Sequence, residues 1–118
     1  MSVWLVLEAK LHFNPNLRPI FPRDYRADAT TENDEMYYGV HFVSAPHKVN
    51  PGDQVTVKMV LRAFPKDPCA SFQVGKKIFL KEGPLTRAEG TITRREELTS
   101  PSNTILEVQR ELYTEEPQ

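Results

Sequence analysis

From Val3 to Phe13 the odd positions are Val3, Leu5, Leu7, Ala9, Leu11 and Phe13, while Glu8, Lys10 and His12 fill the later even ones. A two-residue period of this kind puts one face on a core and the other toward solvent, which predicts a β-strand. Trp4 and Val6 interrupt the polar face, so the first half of this strand needs cover on both sides; the C-terminal tail is the candidate. Tyr37 to Ser44 predicts a second strand with Tyr38, Val40 and Phe42 on one face, and Gly39 marks a bend or a close backbone approach. Gln54 to Leu61 predicts a third, Val55, Val57, Met59 and Leu61 alternating with Gln54, Thr56 and Lys58. Phe72 and Val74 open a fourth that passes Gly75 to Ile78-Phe79-Leu80. Thr86 to Thr93 follows the Glu82-Gly83-Pro84 turn, with Ala88 and Gly90 leaving room at a tight corner and Ile92 pointing inward.

Between these runs sit turn and breaker residues. Pro51-Gly52 is a turn signal, because proline presets the first turn angle and glycine accepts a positive φ at the next. Pro65 and Pro68 end the Gln54 strand. The stretch from Pro15 to Ala29 holds three prolines and no clean period, which predicts a long excursion rather than a ladder. Thr30 to Glu35 is polar and acidic, a hairpin tip. Near the end, Asn103 reads as a cap for a short helix at 104–112 with Ile105, Val108 and Leu112 on one stripe, although Thr104 to Gln109 also reads as an added strand. About six strands at this spacing predict an all-β fold, a six-stranded closed antiparallel barrel, since closure removes exposed edges. The predicted organisation is a barrel domain over 1–96 and an acidic tail over 97–118.

The wording of the middle of the chain adds a family. Val49-Asn-Pro51-Gly52-Asp53, Phe72-Gln-Val-Gly75, Lys81-Glu82-Gly83 and Gly90-Thr-Ile92-Thr, in this order, resemble the C-terminal β-barrel domain of elongation factor Tu and related translation GTPases. The resemblance covers roughly Ser2 to Glu96 and is densest from Val49 onward. It implies a Greek-key connectivity for the barrel. Arg18-Pro19-Ile20-Phe21-Pro22-Arg23-Asp24-Tyr25-Arg26 stands where the family writes T-P-x-x-x-G-Y-R-P-Q-F, with Pro19, Tyr25 and Arg26 on matching letters. In the family this segment lies near the tRNA-binding and interdomain surface; Asp24, Ala27 and Asp28 depart from the family's Gly, Pro and Gln. No Gly-x-x-x-x-Gly-Lys-[Ser/Thr] phosphate loop occurs in the 118 residues, so GTP hydrolysis by this chain is not expected.

With 39% hydrophobic and 26% charged residues, the chain suits a single folded domain rather than a disordered one. Its net charge of −1 conceals an asymmetry: residues 1 to 95 hold 14 Lys/Arg and 10 Asp/Glu, residues 96 to 118 hold 1 and 6. One cysteine, Cys69, excludes an intrachain disulfide and points to a reducing cytoplasm. The N-terminus lacks a basic region and places Glu8 inside its apolar run, unlike a signal peptide. No stretch approaches the roughly 20 apolar residues of a membrane span. Met1 and the separate tail read as those of a stand-alone protein.

Chemistry is sparse. His12, His41 and His47 lack the spacing of a metal pair and read as exposed strand residues; Cys69 has no local base to form a thiolate. No cofactor and no enzymatic activity are expected. Arg18, Phe21, Arg23, Tyr25 and Arg26 interleave guanidinium groups and rings, and Lys76 and Lys77 add charge on a later hairpin; such sets grip anionic partners. The competing reading pairs these arginines with Asp24, Asp28 and the acids from Glu32 to Glu35. The expectation is a non-catalytic binding module for a protein partner, in the setting of the translation machinery, or for RNA. An inhibitor or immunity-type protein that imitates a translation-factor domain is the second reading.

Overall fold

The computed structural model describes residues 2–32, 37–62 and 71–116. Residues 33–36 of the acidic tip, and the segment 63–70 with Pro65, Pro68 and Cys69, lie outside the described residues. Seven strands form one sheet: β1 (Ser2–Phe13), β2 (Arg26–Thr31), β3 (Tyr38–Pro46), β4 (Gln54–Arg62), β5 (Lys77–Glu82), β6 (Leu85–Ser100) and β7 (Thr114–Glu116). One helix, α1, spans Ile105–Leu112. The order across the sheet is β2-β5-β6-β1-β4-β3-β7, and β2 pairs with β3 as well. The hydrogen-bonded pairings therefore return to their starting strand: β1 to β4, β3, β2, β5, β6 and back to β1, all antiparallel. β7 lies outside this circuit, parallel to the end of β3.

Inside the circuit, the odd face of β1 (Leu5, Leu7, Ala9, Leu11) packs with Val57, Met59 and Leu61 of β4, Val40 and Phe42 of β3, Ile78 and Leu80 of β5, and Ile92 of β6. The even face forms a second, outer cluster in which Trp4, Val6, Val43 and Val60 meet Val108 of α1, flanked by Leu98, Ile105 and Leu112. The tail supplies the cover that Trp4 and Val6 require. It begins later than expected, because β6 runs on to Ser100. The helix is capped by Thr104 rather than Asn103, the hydroxyl accepting the Glu107 amide at 3.2 Å.

Three bulges set which side chains reach which cluster. Each inserts an unpaired residue and so swaps the facing of the strand beyond it. Val43, between Phe42 and Ser44, enters the outer cluster while Phe42 stays in the inner one. Thr93 interrupts the β1–β6 register after Ile92, and beyond it Leu98 stands opposite Trp4 on the helix side. Its hydroxyl lies 2.9 Å from Glu8 Oε1 and 3.2 Å from the Glu8 carbonyl. Arg87, the extra residue between Ala88 and Thr86, turns inward beside Ala88, and both are buried.

Three expectations need correction. The stretch predicted as a pure excursion ends in β2, which pairs on both sides; its prolines stop before Arg26, and Ala27 and Ala29 are its inward positions. The close backbone approach falls at Gly90, not Gly39: a Cβ on Gly39 would find nothing nearer than 3.9 Å. Phe72 and Val74 precede β5, the turn being tied to β6 by the Gly75 amide to the Ile92 carbonyl at 2.8 Å.

Candidate functional site

Pro22–Asp24 forms one turn of 3-10 helix with proline in its first turn. The turn packs beside β3 and the end of α1, so three separate segments meet around His41. Two clefts share this histidine. One, of about 520 Å³, is lined by Arg23, Asp24, His41, Leu106, Gln109, Arg110 and Tyr113. The other, of about 420 Å³, lies between Arg26 and Asp28 of β2 and Lys81 and Glu82 of β5, with Ile105 at its rim.

Gln109 holds the first cleft together. Its buried amide donates to the Phe42 carbonyl at the β3 bulge (2.8 Å) and to the Arg23 carbonyl (3.0 Å), joining helix, sheet and turn. The Arg23 guanidinium lies over the Tyr113 ring, 5.7 Å from its centre. Burial pushes the Tyr113 phenol above its usual range, and Glu115 adds to this. Burial, then Arg26 beside it, lowers the His41 pKa from 6.5, so the imidazole is neutral at neutral pH. His41 is thus a buried wall residue and not the exposed strand histidine expected from the sequence.

Tyr25 faces a different network. Its hydroxyl donates to Glu82 Oε2 at 3.1 Å, the same oxygen lies 3.1 Å from Arg87 Nε, and the Arg87 guanidinium sits 5.6 Å from the Tyr25 ring centre. Burial first, with Glu82 contributing, pushes the Tyr25 pKa up to about 12. This set braces β2, β5 and β6. Glu82→Ala should leave the Arg87 guanidinium, only 7% exposed, without its counter-ion. Because Glu82 is itself half open to water, the expected cost is about 2 kcal/mol. Thermal melting should fall by roughly 6–10 °C.

The predicted partner-binding residues separate into groups. Arg23 and Arg26 line the two clefts. Phe21 is exposed and meets His47 edge-on at 5.7 Å, and His47 Nδ1 lies 2.7 Å from Glu115 Oε1, which ties the turn to β7. Arg18 is exposed before the Ile20–Val49 bridge and lines neither cleft. Lys76 and Lys77 stand at the far end of β5: Lys81 is opposite Asp28 and Ile78 opposite Thr31, which places Lys77 roughly 20 Å along β2 from Arg26. The two sets do not form one patch. Among the described residues, Arg18, Arg23 and Arg26 make no ion pair with Asp24, Asp28 or Glu32; the other acids of the competing reading fall in 33–36, outside the described residues.

Sequence reasoning missed Gln109, Arg110 and Tyr113, reading them as tail. One signal was present: Gln109 follows Ile105 by four residues, a polar side chain on the flank of the apolar stripe, where a buried amide finds backbone acceptors. Among the described residues no three His, Cys, Asp or Glu side chains gather where a metal ion could sit. No helix of the described residues is long and apolar enough to cross a membrane. Neither a protein-family model nor a curated protein matches this chain.

Proposed function

We propose that this chain is a non-catalytic recognition module on a closed Greek-key barrel of the elongation factor Tu C-terminal type, and that it binds a protein partner through the surface around His41. One observation carries the reading: Arg23, Arg26 and Arg110, from the 3-10 turn, β2 and α1, converge on two adjoining clefts, and none of them makes an ion pair among the described residues. Guanidinium groups held on rigid elements and left open recognise carboxylates or phosphates. The circuit of six antiparallel strands supports the barrel assignment. A setting in the translation machinery rests on the resemblance of roughly Ser2 to Glu96 alone.

The test is charge reversal. Arg23→Glu with Arg26→Glu should abolish capture of the partner from native lysate while leaving the melting temperature within about 3 °C, since both side chains are exposed. Equal capture by the variant rejects this surface. Captured material that disappears on nuclease treatment, and whose retention falls steeply between low and moderate salt, identifies RNA in place of protein.

A further inference from the structure

The larger cleft has a donor set more specific than a basic surface requires. Arg23 and Arg110 stand on separate elements, each exposed and each without an ion pair among the described residues. Arg23 is held against the Tyr113 ring, an arrangement that leaves the edge of a guanidinium free to fork onto two oxygens. The Tyr113 ring forms part of the wall, while its hydroxyl is closed off from solvent. His41 contributes one N–H as a neutral imidazole. Gln109 commits its amide to two backbone carbonyls, which leaves its Oε1 as an acceptor. Asp24, in the same cleft, is a second acceptor and carries a negative charge.

Two forked cations suit a tetrahedral oxyanion. Asp24 works against a bare dianion and in favour of one that brings its own cation close behind. We infer that the cleft formed by Arg23, Arg110, Tyr113 and Asp24 binds a phosphate monoester bearing a nearby ammonium group. The phosphoryl oxygens take the two guanidinium groups, and the ammonium donates to Asp24. This rests on the reading of the surface around His41 as a recognition site and names the chemistry it recognises.

The experiment is a pair of titrations followed by amide NMR on the full chain, with inorganic phosphate and with phosphoethanolamine as probes. Saturable shifts are expected at Arg23, His41, Arg110 and Tyr113, with phosphoethanolamine binding at least fivefold more tightly. Arg110→Ala should weaken both probes tenfold or more without loss of the native spectrum. Asp24→Asn should remove the preference for phosphoethanolamine. Unsaturable shifts spread over Lys76, Lys77 and Lys81, equal binding by Arg110→Ala, or equal affinity for the two probes would each overturn the inference. Loss of partner capture in the Arg23/Arg26 reversal together with unchanged phosphate binding in Arg110→Ala removes this inference and leaves the recognition surface standing.

Discussion

Gly90→Ala is expected to abolish folding. Gly90 lies in β6 between Leu11 of β1 and Ile78 of β5. A Cβ there would stand 1.7 Å from the Lys10 carbonyl oxygen, 2.7 Å from its carbon and 2.9 Å from Leu11 Cα. All three are backbone atoms of a neighbouring strand, so no rotamer change relieves the clash. Relief requires β1 and β6 to part, and this pair joins the longest strands of the sheet. The cost should exceed about 4 kcal/mol, the range reached only when packing or backbone geometry fails outright. The expected readout is insoluble product, or soluble chain with no cooperative melting. Gly39→Ala is the control: its Cβ has space, and its melting temperature should stay close to that of the parent chain. Cooperative melting of Gly90→Ala within about 5 °C of the parent would show that the β1–β6 register is wrong.

Trp4→Ala should cost about 3–5 kcal/mol. Trp4 is 1% exposed and is the largest side chain of the outer cluster, where Val6, Val43, Val60 and Val108 close around it. The helix has only eight residues, too few to persist in water alone, so its stability comes from this contact. Truncating Trp4 therefore does more than leave a cavity. It loosens α1, withdraws Gln109 from the Phe42 and Arg23 carbonyls, and opens the cleft between helix and turn. The expected signature is a large drop in melting temperature together with loss of ligand shifts at Arg23 and Tyr113. A stability change under 1 kcal/mol would contradict the docking of the helix on this face.

The parts of the fold legible in the sequence are those where one period governs a whole run. β1, β3 and β4 follow alternation, and the inward positions Leu5 to Phe13, Val40, Phe42, Val57, Met59, Leu61 and Ile92 are buried as that alternation requires. The even-face exceptions Trp4 and Val6 foretold a second layer. β2 was hidden because Arg26-Ala-Asp-Ala-Thr-Thr puts only two alanines and Thr31 on its inward face, too little hydrophobicity to register beside the prolines that precede it. The bulges were hidden too, since one inserted residue shifts facing without leaving a compositional mark. The site was half visible. Arg23 and Arg26 stand out by charge, but His41, Gln109, Arg110 and Tyr113 reach the same clefts from positions 15 to 90 residues away, a proximity that no local pattern encodes.

Hydrogen–deuterium exchange along β2 tests the central structural claim most directly, because this strand closes the circuit between β3 and β5. Asp28 and Ala29 are the two residues that pair with both β3 and β5, and adjacent amides point to opposite edges, so with both ladders in place both should exchange as slowly as those of β1. One of these two amides exchanging at nearly the unfolded rate, while β1 stays protected, would mean that one ladder is missing and that the clefts around His41 lack the frame described.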